Sequence, residues 1–188
     1  MPELIDFVVL GFLLILLGSV SYNIYISVRK DKNFIGTPPI NKCVFIIGKV
    51  LGFSIWGAVI IQLIGIDLKM LEGNILSDFI SAAFFMLSTI FMVSSFISLR
   101  ESSSLGLPQE QTSLKTSGIY KISRNPMYVA FYLSFFGAIF YTLNLIVMIF
   151  TLISILIYHK IILSEERYLE QQFGEIYLQY KKRVRRYL

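Results

Sequence analysis

Three groups of residues have the types and spacing for chemistry. The first is the cluster Tyr120, Arg124, Asn125, Pro126 and Tyr128 inside "TSGIYKISRNPMYVAFYLSFFG", where an arginine, an amide and two phenols crowd the mouth of a long apolar run. The second is the adjacent acid pair Glu165-Glu166, and the third is the single histidine, His159. Asn125 before Pro126 reads as a helix N-cap with proline at the first helical position, and Arg124 as a basic anchor. A cation at a helix N-terminus opposes the helix dipole, however, and that terminus suits an anion held beside Arg124. The group is therefore either an anchor and cap or the lining of a polar pocket. Glu165 and Glu166 are either two solvated acids at the start of a helical segment or one of them holds a cation or hydroxyl. His159 reads as an interfacial histidine or as a base.

The elements that position these groups belong to a membrane. The 188 residues are 55% hydrophobic and only 15% charged, against about 25% charged in soluble domains. One cysteine, Cys43, and one histidine give neither a disulfide framework nor a His/Cys metal site, so no metal is expected. The first charges, Glu3 and Asp6, are acidic and the following apolar run is long, which reads as a retained span rather than a cleaved leader.

A membrane helix needs roughly 20 apolar residues. The runs at 4–28, about 43–66 and about 78–99 each qualify, the third with Ser77 as its N-cap. Residues 127–162 are too long for one crossing, and Thr142 and Asn144 near their middle predict a hairpin of two short helices. The expected fold is all-α: an integral-membrane bundle of about five spans, the last two a hairpin, followed by a cytoplasmic amphipathic helix. Residues 1–99 would form the N-terminal three helices and 100–188 the functional region, within one structural domain.

Lys and Arg set the orientation. Arg29, Lys30, Lys32 and Lys42 gather at the first connection, Arg100, Lys115, Lys121 and Arg124 at the third, and Lys160, Arg167 and a basic run at 181–186 at the C-terminal segment. The second loop holds Lys69 among three acids and the hairpin tip none, while Lys49 is placed to snorkel toward the first loop. This puts the N-terminus outside and the C-terminal segment in the cytoplasm. It also assigns the net charge of +5 to topology and lipid headgroups rather than to nucleic acid. Beyond Ser164, Leu169, Phe173, Ile176, Tyr180 and Val184 recur at helical spacing, with Gly174 as an interruption. Trp56 reads as packing and Cys43 as inert.

The order Gly118-x-Tyr120, Arg124-Asn125-Pro126-x-Tyr128, a two-span hairpin, Glu165-Glu166 and "FGEIYLQYKKRV" resembles the isoprenylcysteine carboxyl methyltransferase family over roughly residues 100–186. That family groups with the phospholipid methyltransferases among integral-membrane enzymes. The resemblance implies S-adenosylmethionine as methyl donor, bound at the cytoplasmic face, and a lipophilic or lipidated acceptor from the bilayer. By position the cofactor contacts would be Thr112, Ser113, Leu114, Lys115, Tyr120, Asn125, Pro126, Met127, Tyr128 and Glu165. The family often has histidine where Asn125 stands, although many bacterial-type relatives also read Arg-Asn-Pro; asparagine donates and accepts but does not titrate. Thr112 also stands where a histidine is common. Ile161 occupies the place of an arginine assigned to the prenylcysteine carboxylate, and His159 is the nearest cationic alternative. Carboxyl O-methylation of an isoprenylcysteine-like substrate is the leading expectation, with Arg124, His159 or Arg167 facing the carboxylate. N-methylation of an amino-phospholipid is the alternative, with Glu166 as base. A non-enzymatic transporter or structural relative is the reading from another class. Gln62 and the Ser/Thr residues of span three are the only notable interior polar groups, and such hydroxyls mostly serve helix packing.

Overall fold

The computed structural model describes residues 2–29, 37–99 and 114–188. They form five helices, α1 (Pro2–Arg29), α2 (Lys42–Leu63), α3 (Ile75–Leu99), α4 (Pro126–Thr142) and α5 (Leu145–Arg183), with a 3-10 turn at Gly118–Lys121 before α4. The protein is an all-helical membrane bundle. α2, α3 and the first half of α5 are long and apolar enough to cross a bilayer, whereas the apolar stretches Leu4–Ser19 of α1 and Pro126–Thr142 of α4 are shorter. At 1.5 Å per residue α4 is about 25 Å long, slightly less than a typical hydrocarbon core. Among the described residues, three helices thus have full spanning length.

α4 lies at the centre. It packs most extensively on α3, α1 packs on α3 and reaches α4 through Asp6, which accepts from the Tyr141 hydroxyl, and α2 packs against both α4 and α5. Three serines seven residues apart, Ser81, Ser88 and Ser95, put one small polar face of α3 in the interior. Ser81 donates across the interface to the Gly137 carbonyl (2.9 Å) and Ser88 to that of Ala130 (2.7 Å), so these hydroxyls tie helix to helix where no water is available. Gly137 lets the Phe85 ring lie against the α4 backbone: a Cβ there would stand 3.1 Å from it. Gly52 does the same for α2 and α5, since a Cβ would fall 2.7 Å from the Tyr158 hydroxyl. Trp56 packs as expected, its ring edge-on to Phe131 and its indole N–H donating to Ser134 Oγ (3.1 Å).

Three local readings change. α3 starts at Ile75 rather than after Ser77; Asn74 is the cap, its Oδ1 accepting from Ser77 N (3.0 Å) while Ser77 Oγ donates back to the Asn74 carbonyl (2.7 Å). Gln62 is not an interior group: it closes the end of α2, its Oε1 accepting from Leu68 N (2.8 Å). The amphipathic C-terminal segment continues α5 through a bend at Gly174 (φ 50°, ψ −127°). That bend breaks the helical phase, so Tyr177 is buried and Ile176, expected on the apolar face, is 68% exposed.

The hairpin turns where Thr142 and Asn144 placed it. Leu143 takes a left-handed conformation, and Asn144 caps α5 by accepting from Ile146 N (2.9 Å) and Val147 N (3.3 Å). Asn144 also donates to the Leu68 carbonyl (2.6 Å), and Met70 N and Leu71 N donate to Leu143 O, so the second loop straps the hairpin tip.

Candidate functional site

At the other end of the hairpin, residues 123–125 leading into α4 meet residues 181–187 beyond the Gly174 bend. Backbone joins backbone there: Arg124 N donates to Arg185 O (2.9 Å). Ser123 Oγ donates to Arg186 O (3.1 Å) and accepts from Asn125 N (3.1 Å), and Tyr180 Oη donates to the Tyr120 carbonyl (2.7 Å). Gly118, at φ 63°, forms the sharp entry to this corner with the Ser98 hydroxyl against it, a conformation that glycine adopts without strain.

Arg124 is the hub. Its Nε and Nη2 donate to Glu166 Oε1 (3.1 and 3.0 Å), and its Nη1 donates to the carbonyls of Lys181 (3.0 Å) and Val184 (2.8 Å). Glu166 Oε2 accepts from Arg186 Nε and Nη2 (3.1 and 3.0 Å). Asn125 donates from Nδ2 to Glu166 Oε1 (3.0 Å). Arg124 and Glu166 side chains are only 7% and 4% exposed, so this is a buried ion pair with a full set of hydrogen bonds. The hydrogen bonds to Glu166 hold the Arg186 guanidinium more firmly protonated than usual. Asn125 stands at the N-cap position but makes no side-chain cap bond, because its amide serves Glu166 instead.

Glu165, one residue earlier, has a different environment. Its Oε1 accepts from the buried Tyr128 hydroxyl (2.8 Å), and among the described residues its other oxygen has no hydrogen-bond partner. The Tyr128 ring stands edge-on to Tyr158 (5.9 Å between centroids), and over that ring, 5.3 Å from its centroid, lies the Lys49 ammonium from α2. Tyr120 lies within electrostatic reach of Glu165; partial burial, with smaller contributions from Tyr180 and Glu165, pushes its phenol well above the usual range, so it acts as a neutral hydrogen-bonding group. The Tyr177 hydroxyl is buried without a partner among the described residues.

The fold thus brings together Tyr120, Arg124, Asn125, Pro126, Met127, Tyr128, Glu165 and Glu166. His159 joins the same end of the molecule but pairs with Tyr187 Oη (2.6 Å). Leu114 and Lys115 are half-buried just before the 3-10 turn, and Thr112 and Ser113 lie outside the described residues. Sequence reasoning missed Arg186, whose place in a basic run reads as a headgroup contact, and Lys49, whose position near a helix start reads as snorkelling. The one signal for Lys49 was a charge inside an apolar run, which in a membrane calls for a partner.

The model of the phospholipid methyltransferase family matches residues 76–176, more than half of the chain, from the start of α3 to just past the Gly174 bend. No curated protein and no solved structure matches the chain.

Proposed function

The chain belongs to the phospholipid methyltransferase family, and from that premise we propose that it transfers a methyl group from S-adenosylmethionine to the amino headgroup of a bilayer phospholipid. The observation that carries this reading is Glu165: a carboxylate anchored on one oxygen by Tyr128, open on the other, inside the matched region. The open carboxylate oxygen suits the cofactor, because it is an acceptor for an ammonium or a ribose hydroxyl. When bound, S-adenosylmethionine supplies a methyl carbon already activated on a sulfonium.

The protein's own residues then align and exclude water. Tyr128 fixes the orientation of Glu165, whose open oxygen holds the donor. Tyr120, Met127 and Pro126, with Leu114 and Lys115 ahead of them, form the remaining wall. Arg124, Asn125 and Glu166 act as positioning residues: their buried network clamps residues 181–187 over the start of α4 and closes that side of the site.

The three cations that the sequence offers for a carboxylate, Arg124, His159 and Arg167, are not free at the site, which favours an amine acceptor unless another cation takes the carboxylate. Arg124 is engaged by Glu166 and two carbonyls, His159 by Tyr187, and Arg167 is exposed. The ordered motifs from Gly118 to Arg186 support carboxyl methylation of an isoprenylcysteine as the second reading. The Lys/Arg distribution supports a cytoplasmic site with the N-terminus outside.

The test is calorimetric binding of S-adenosylhomocysteine to detergent-purified protein, followed by transfer of labelled methyl to phosphatidylethanolamine and, separately, to a farnesylated cysteine. Binding by the wild type together with label in phosphatidylethanolamine supports the proposal. Label confined to farnesylcysteine selects the second reading, and no binding by folded protein overturns both.

A further inference from the structure

We infer that Lys49 grips the anionic group of the lipid acceptor and so sets which lipids enter the site, an inference that rests on the acceptor site proposed above. Lys49 lies seven residues into α2, about 10 Å beyond Lys42 at 1.5 Å per residue, a depth at which an ammonium needs a partner. Among the described residues it makes no hydrogen bond or ion pair; its contacts are the faces of Phe45 (5.0 Å) and Tyr158 (5.3 Å). Glu165 is within electrostatic reach but not in ion-pair contact, which leaves the ammonium's donors open beside the carboxylate.

The side from which a ligand would come is given by the neighbours of Lys49. Ile46, Val50 and Phe53, on the adjoining turns of α2, are 49%, 57% and 55% exposed and form an apolar strip toward lipid. A cofactor from the cytosol has no reason to lie on that strip, whereas a lipid lying along it brings its headgroup to Lys49. A phosphodiester seated there directs an attached amine toward Glu165 and Tyr128. A carboxylate offers the same charge-assisted contact, so both anions belong to the recognised class and a neutral lipid does not. Lys49 lies ahead of the stretch that matches the family, so α2 would add acceptor selection to the matched region.

The test is native mass spectrometry of the detergent-released protein with phosphatidylethanolamine, oleate or dioleoylglycerol added, for wild type, Lys49→Met and Lys49→Arg. We expect retention of phosphatidylethanolamine above dioleoylglycerol in wild type, a loss of about tenfold in Lys49→Met, and recovery in Lys49→Arg. Oleate competing as well as phosphatidylethanolamine would identify the charge alone as the recognised feature; failure to compete would assign the phosphodiester. Equal retention of dioleoylglycerol, or retention unchanged in Lys49→Met, overturns the inference. S-adenosylhomocysteine binding is measured on the same samples. If only Lys49→Met loses it, Lys49 serves the cofactor and the inference is wrong. If the wild type never binds it while the lipid preference stands, the methyltransferase reading fails and the lipid site survives.

Discussion

Glu165 and Glu166 are neighbours on α5 with opposite surroundings: Glu166 is held by two guanidinium groups and an amide, Glu165 by one phenol. Successive helix residues point about 100° apart, so one carboxylate faces the chain returning beyond Gly174 and the other faces α4 and α2. Two adjacent carboxylates are thus set apart, Glu166 tied into the clamp and Glu165 left with one open oxygen, and substitutions separate them.

Glu166→Gln removes the charge shared by the buried Arg124 and the partly exposed Arg186. Losing one partner of a buried pair costs about 3–5 kcal/mol, so the variant melts at clearly lower temperature in detergent. An unchanged melting temperature would show that the network does not hold the fold. Arg124→Lys should approach the same loss, since an ammonium cannot reach Glu166 and the carbonyls of Lys181 and Val184 together.

Glu165→Gln keeps size and one acceptor, and should leave melting nearly unaltered. A charge-assisted hydrogen bond is worth about 1.5–3 kcal/mol, so S-adenosylhomocysteine affinity should fall by about tenfold or more. Full affinity in this variant would remove Glu165 from the donor site.

Gly174 has φ 50°, where a Cβ is strained, although nothing lies within 4 Å of the place it would occupy. Gly174→Ala should therefore cost about 1–3 kcal/mol through the backbone alone, and should loosen the hold of Arg124 on residues 181–184. Gly11→Ala in α1, which also has open space around it, is the control and should be neutral or mildly stabilising. Equal effects at both positions would mean that the bend is not a fixed feature.

The Trp56 to Ser134 bond joins α2 to α4 where no water competes. A double-mutant cycle of Trp56→Phe and Ser134→Ala, followed by thermal melting, should give a coupling of about 1 kcal/mol. Strict additivity would make the contact incidental.

Cys43 is the chain's one cysteine and is exposed at the start of α2. A membrane-impermeant maleimide should label it in inside-out vesicles and not in right-side-out ones. Labelling only from the opposite side would invert the topology read from Lys and Arg.

The helical class, the hairpin and its turn were legible in the sequence, because apolar length and the Thr142 and Asn144 breakers act locally. The crowding of Tyr120, Arg124, Asn125 and Tyr128 at one helix entrance was legible for the same reason. What escaped depends on distant partners. Asn125 has every local mark of a cap, yet its amide turns to Glu166, 41 residues away. Arg186 sits in a basic run that looks like surface, and only the bend at Gly174 brings it back to Glu166. Ile176 and Tyr177 exchanged roles because a glycine with non-helical dihedrals resets the phase that periodicity assumes.

The clamp between residues 123–125 and 181–187 also implies an order of events during synthesis. The α4–α5 hairpin can enter the bilayer and pack on α3 as soon as its apolar residues emerge, whereas Glu166 stays without Arg186 until twenty further residues have been made. The carbonyls of Lys181 and Val184 that Arg124 holds also lie within those twenty residues. The corner that closes the site is therefore knitted last, on a hairpin already fixed in the membrane, and a nascent chain stalled before Arg186 would be inserted, packed and still open at that corner.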